Sequence, residues 1–142
     1  GDPQVKGRIR QLQQQAAMNR MMTDVPEADV IITNPSHFSV ALKYDQDGGK
    51  APVMLAKGAD FIALKIREVG NHYDIPVIQS PALTRAIFHH TEIGEEIPQG
   101  LFQAVAQLLA YVYQLKNVKN GATRPDVMPN LDVPDEYQWD GK

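Results

Sequence analysis

Residues 33–37 read Thr-Asn-Pro-Ser-His and separate two apolar runs, Ala-Asp-Val-Ile-Ile before them and Phe-Ser-Val-Ala-Leu after. Asn34 followed by Pro35 is a pair with chemistry of its own. Asparagine ordinarily reacts through the backbone nitrogen of the next residue, which attacks the side-chain carbonyl and leads to deamidation. Proline has no backbone N–H to support that path. What remains is attack by the Asn34 side-chain nitrogen on the Asn34 backbone carbonyl, which expels the Pro35 nitrogen and breaks the chain. Asn120-Gly121 supplies the contrast within the same sequence. Its glycine nitrogen is free and unhindered, so deamidation is the expected fate there.

A carboxamide nitrogen is a weak nucleophile, and the fold must supply the acceleration. Bringing a spontaneous loss lasting years down to minutes or hours takes about four to six powers of ten, or roughly 5–8 kcal/mol. Near-attack geometry contributes energy of that order, and strain in a tight turn adds roughly 1–3 kcal/mol. His37 is a candidate to take the amide proton or to protonate the departing nitrogen, as imidazoles do in general acid–base catalysis. Ser36 is a candidate to orient the loop or polarise the carbonyl. The bland role for His37 is a turn histidine bonded to backbone. Ser36 also invites a different reaction, transfer of the preceding acyl group onto its hydroxyl, which would cut before Ser36 rather than before Pro35. A third reading makes Asn-Pro a plain turn in an interaction scaffold that is never cut, since such pairs commonly initiate turns.

The elements that must position these residues are legible from periodicity. Asp-Val-Ile-Ile-Thr is a short β-branched run expected of a strand buried on both faces, and Phe38, Val40, Leu42 and Tyr44 alternate with period two. A turn with two glycines follows, and then a third strand near 51–58. Ile62, Ile66, Val69 and Tyr73 share one helical face over 59–73. Residues 75–79 form a short apolar strand, and Ser80-Pro81 supplies an N-cap with proline at the first helical position for a helix running to about His90. Leu101, Val105, Leu108, Leu109, Val112 and Leu115 mark a strong amphipathic helix. Residues 6–22 contain good helix formers with only a thin apolar stripe, so this helix is expected to be weakly tied to the core. The expected class is α/β: a small mixed sheet of four or five strands, about four surrounding helices and a long N-terminal linker helix. The expected organisation is a basic linker helix at 1–25, an α/β domain at 26–118, and an acidic, proline-containing flexible tail at 119–142.

Composition narrows the function classes. At 142 residues, 43% hydrophobic and 22% charged, the chain has room for one ordinary core. With no cysteine, thiolate nucleophiles, disulfide frameworks and cysteine zinc sites are excluded. No stretch approaches the roughly 18–20 consecutive apolar residues of a membrane span, and residues 1–20 lack the apolar run of a signal peptide. This chain by itself is therefore expected to be soluble. The two ends differ in charge. Lys6, Arg8, Arg10 and Arg20 face Asp2 alone in residues 1–22, whereas Arg124 and Lys142 face five carboxylates in residues 121–142. Four cations without interleaved aromatics make a poor nucleic-acid signature, and none is expected as a partner. His89, His90, Glu92, Glu95 and Glu96 cluster, but adjacent histidines diverge on a helix, so neither a metal nor any other cofactor is expected. No phosphate-binding loop or Gly-x-Ser-x-Gly elbow is present.

The stretches ADVIITNPSHFSVALKYD, APVMLAKG, IALKIREVG, IPVIQSPALTRAIF and EIGEEIPQGLFQAVAQLLAYVYQLK together resemble the cytoplasmic domain of the FlhB/YscU/SpaS family, the switch proteins of flagellar and virulence type III export. The resemblance covers about residues 1–118. One departure is Ser36, where the family usually has threonine; a hydroxyl is kept and a methyl lost. The resemblance implies autocleavage between Asn34 and Pro35, with Ser36 and His37 completing the motif and the two pieces staying associated. It implies a change of export from rod and hook subunits to filament subunits. It also implies an apolar patch for early substrates that includes Ala51, Pro52, Ala106 and Leu109, although plain helix packing is the simpler reading of Ala106 and Leu109. Implied partners are other export-apparatus proteins, export substrates and a hook-length control protein. The resemblance further implies membrane helices preceding this region, which places the domain at the cytoplasmic face of the bacterial inner membrane. A virulence type III counterpart is the alternative within the family.

Overall fold

The computed structural model describes residues 1–35, 37–45, 49–118 and 131–138. Helix α1 spans Pro3–Asp24, and a 3-10 turn at Val25–Glu27 leads into the sheet. Strands β1 (Val30–Asn34), β2 (Phe38–Lys43) and β3 (Val53–Ala59) form an antiparallel meander. Helix α2 (Asp60–His72) carries the chain to β4 (Val77–Gln79), which pairs parallel with β1 and gives the order β3-β2-β1-β4. Helices α3 (Pro81–His90) and α4 (Phe102–Val118) follow. The sheet has four strands. An isolated bridge between Val53 and Glu96 adds a partial fifth pairing along the β3 edge.

Alternation along β1 divides the core. Val30 and Ile32 join Val40, Leu42 and Met54 beneath α3 and α4, where Leu83, Ile87, Leu101 and Leu108 are fully buried. Ile31 points the other way, with Ala41, Ala56, Ile66, Met21 and Val25. β1 is thus buried on both faces, as its β-branched run predicts. β2 was expected to alternate, yet Ser39 and Ala41 are also fully buried. The reason is α2, which covers that face; the Ser39 hydroxyl donates to the Ala63 carbonyl at 2.9 Å. α2 lies so close to β1 that a Cβ at Gly70 would collide with the Ile31 side chain.

Two tethers contrast. α1 is exposed over most of its length and touches the core only near its C-terminal end, where Met21 is buried and Met18 and Met22 are half-buried. Among the described residues no helix is long and apolar enough to cross a membrane. Residues 131–138, expected from sequence to belong to an extended tail, instead pack on the first core. Val133 is buried, the Tyr137 ring lies over Gly100, and it meets His90 edge-on at 5.1 Å between centroids. The rest of that tail, including Asn120-Gly121, lies outside the described residues.

Leu108 sits at the centre of the α4 contact with the sheet and is fully buried. Leu108→Ala should lower stability by about 2–5 kcal/mol, from lost transfer energy and an unfilled cavity. Urea unfolding measures it as a reduced midpoint with an unchanged slope.

Candidate functional site

The β1–β2 connection is short because the two strands stay in register to the last residue: Asn34 pairs with Phe38. Only residues 35–37 remain to reverse the chain. The His37 main-chain N–H donates to the Asn34 carbonyl oxygen at 3.0 Å and closes the bend. That carbonyl is the one an Asn34 cyclisation would attack. A donor held on it polarises the carbon and remains in place as negative charge develops on the oxygen. Asn34 is only 9% exposed, so its carboxamide is largely withdrawn from water. The peptide bonds are trans throughout the described residues.

Two helix starts hold the bend from outside. The Asp60 N–H, first in α2, donates to the His37 carbonyl at 2.8 Å. The Ser80 N–H, at the N-cap of α3, donates to the Thr33 carbonyl at 2.9 Å. Each bond satisfies a donor left over at a helix N-terminus and brings a positive helix end towards the bend. Asp60 adopts φ 51°, a left-handed backbone that aspartate tolerates better than most residues. The Ser80 side chain makes no capping bond, whereas its carbonyl accepts from the Thr84 hydroxyl at 2.7 Å. The residue expected as the N-cap is in place, but it works through its main chain.

α3 then crosses the sheet beside the hairpin. It starts beyond the end of β4, and at its other end Phe88 stacks on Phe38 at 4.2 Å with the rings inclined by 26°. His89 meets Phe38 edge-on at 5.4 Å. Ten helical residues span roughly 15 Å, about the width of four strands. On β3, the Lys57 ammonium donates to the Phe88 and Thr91 carbonyls, both at 2.8 Å.

The expected site residues fall into two groups. Asn34, Pro35 and His37 form the bend, while Ser36 lies outside the described residues. The His37 side chain is exposed; its main chain, not its imidazole, meets the Asn34 carbonyl. Ala51, Pro52, Ala106 and Leu109 all line one groove of about 920 Å³ between residues 49–52 and α4. Ala106 is exposed on the groove wall and Leu109 half-buried, so helix packing does not account for Ala106. Asp29, Tyr44 and Val112 place the groove at the far end of the β1–β2 ladder from the bend. The five-residue strand β1 separates them by roughly 14–17 Å. Among the described residues no group of three or more metal-ligating side chains converges. Lys57 and Phe88 were not singled out from sequence. A lysine inside the otherwise apolar strand Val-Met-Leu-Ala-Lys-Gly-Ala was the available signal.

The profile described as the FlhB HrpN YscU SpaS family matches residues 1–112. The flagellar biosynthetic protein FlhB of Salmonella typhimurium is 54% identical over 140 residues, which is 98% of this chain and 37% of that protein. Bacillus subtilis FlhB is 47% identical over 116 residues, 82% of this chain and 32% of the relative. The chain thus spans about a third of the length of these relatives. The crystal structure of the cytoplasmic domain of FlhB from Shewanella putrefaciens superposes with a TM-score of 0.81 at 47% identity, covering 86% of this chain and 95% of that one.

Partial desolvation, with His90, Lys57 and Arg85 nearby, pulls the imidazole of the otherwise exposed His89 below its ordinary pKa. The unfolded chain, with histidine near 6.5, therefore binds the proton more readily than the folded one. Stability rises with pH through that window and falls as pH drops below about 6.5. Melting temperature should decline between pH 7.5 and pH 5, and His89→Gln should remove part of the decline; the same slope in both chains would contradict the assignment.

Proposed function

The chain belongs to the FlhB HrpN YscU SpaS family, and on that footing we propose that it cuts itself once between Asn34 and Pro35. The observation that carries the reading is the closed bend: a nearly buried asparagine whose own carbonyl accepts the His37 N–H, followed by a residue without an amide hydrogen. The Asn34 Nδ2 bonds to the Asn34 carbonyl carbon, and the bond from that carbon to the Pro35 nitrogen breaks. A carboxamide proton passes to the proline nitrogen, which leaves as a secondary amine. The first piece ends in a cyclic imide and the second begins at Pro35. No water is consumed until the imide later opens. Each chain reacts once, so this is self-processing and not turnover.

Scission leaves the sheet intact. β1 lies between β2 and β4, so the piece ending at Asn34 keeps ladder bonds on both sides and apolar contacts on both faces. The change is local: two new ends, relief of the bend and a different surface beside the break. In the flagellar reading, this change accompanies the passage of export from rod and hook subunits to filament subunits. The domain works with other export-apparatus proteins and a hook-length control protein at the cytoplasmic face of the inner membrane, to which segments preceding this region attach it. The groove between residues 49–52 and α4 receives early substrates, with Ala51, Pro52, Ala106 and Leu109 as its apolar lining.

Intact mass under denaturing conditions should reveal two pieces, residues 1–34 and 35–142, whose fresh masses add up to that of the whole chain. A protease would instead add one water to the sum from the outset. Asn34→Ala should give a single folded chain, and Pro35→Ala, which restores an N–H, should divert or slow the reaction. A parent chain that stays single through days at neutral pH rules the proposal out.

A separate outcome concerns the groove. Ala106→Glu and Leu109→Glu should weaken capture of rod or hook subunits at least tenfold in a pull-down while leaving scission at the parent rate. Undiminished capture by both variants would remove the groove from the account.

A further inference from the structure

Lys57 occupies a position that the sheet alone does not explain. It pairs with Val40 in the β2–β3 ladder and shares the face of Phe38, Val40 and Leu42 that α3 covers. An ammonium entering an apolar face has to be satisfied there. Its side chain is only 19% exposed, and it donates to the Phe88 and Thr91 carbonyls at 2.8 Å each. These carbonyls belong to the end of α3, where helical partners run out and where a cation is favoured by the helix dipole. The same ammonium lies 5.0 Å from the centre of the Phe88 ring. Glu92, 81% exposed, stands 3.9 Å away and adds little through solvent.

These contacts close a ring through three elements. Lys57 on β3 fixes the main chain and ring of Phe88 on α3. Phe88 stacks on Phe38 at 4.2 Å, and Phe38 is the β2 residue directly opposite Asn34. Paired residues in an antiparallel ladder carry their side chains on the same face. The Asn34 carboxamide therefore shares a face with the clamped Phe38 ring. Only three residues separate Asn34 from Phe38, so a shift of Phe38 moves the bend itself. Self-cyclisation depends steeply on whether the attacking and attacked atoms hold a near-attack arrangement.

We propose that Lys57 is a positioning residue for scission at Asn34–Pro35, acting through Phe88 and Phe38 to hold the bend in its reactive shape. This rests on the self-processing reading and adds a residue distant in sequence from the reacting pair. Lys57 touches neither reacting atom; its role is to keep α3 seated over the hairpin.

The test starts from whole chain collected in denaturant and follows both pieces by denaturing electrophoresis after refolding. Lys57→Met, which keeps most of the length and removes the donors, should slow scission at least tenfold. Phe88→Ala should do the same, while Phe88→Tyr, which keeps the ring, should stay within about twofold of the parent. Leu108→Ala serves as a chain destabilised away from the clamp and should split at the parent rate once folded. A second readout does not depend on scission. In the uncut Asn34→Ala background, hydrogen exchange at the His37 main-chain N–H should quicken at least tenfold on adding Lys57→Met. Parent-like scission in Lys57→Met, or equal slowing in Leu108→Ala, overturns the positioning role. If the parent chain never splits, the self-processing reading falls, and unchanged His37 exchange then removes the clamp as well.

Discussion

The hydrogen bond from the His37 main-chain N–H to the Asn34 carbonyl holds together what is otherwise a set of ordinary contacts. It exists because β1 and β2 remain paired up to Asn34 and Phe38, which leaves the chain three residues in which to turn. Proline at the first of these sets φ near −65° and withholds a donor that would compete for the same region. The bond therefore expresses the sheet register, and the register expresses burial. A slip by one residue would carry Ile31 out of one core and Val30 and Ile32 out of the other. Two fully apolar faces thereby fix the geometry of one polar bend.

Because β1 is an inner strand, the bond proposed to break lies at the end of a strand buried at all five positions. On the self-processing reading, this combination lets a covalent bond be lost without loss of the fold. The bend and the groove sit at opposite ends of the same ladder, with Asn34 at one end and Asp29 and Tyr44 at the other. The Asp29 N–H donates to the Leu42 carbonyl at 2.9 Å, and its carboxylate accepts the Tyr44 N–H at 2.6 Å, so the groove end is also tied across β1 and β2. A change of shape at the bend and a change of access at the groove thus share two strands as their physical connection.

Periodicity made the strands and helices legible, since burial selects residue types at every second or every third and fourth position. It could not announce that Ser39 and Ala41 are buried, because that depends on α2 returning over β2 from outside the local window. Asn34 and Pro35 stood out because the chemistry open to them is intrinsic to the pair. The role of the His37 main chain was not, since any residue but proline carries the same N–H. Lys57 acts on carbonyls 31 and 34 positions away, a relation that no local pattern encodes. Residues 131–138 follow the same logic. Leu131, Val133 and Tyr137 are sparse apolar residues among prolines and carboxylates, and their docking is specified by the surface they meet.

The central claim is that the folded bend, and not the Asn-Pro pair alone, accelerates scission. It is tested most directly by the rate of splitting of one uncut preparation divided between native buffer and concentrated denaturant at the same pH and temperature. The account predicts splitting within minutes to hours in the folded half and a rate lower by about four powers of ten or more in the unfolded half. Equal rates in the two halves would contradict it.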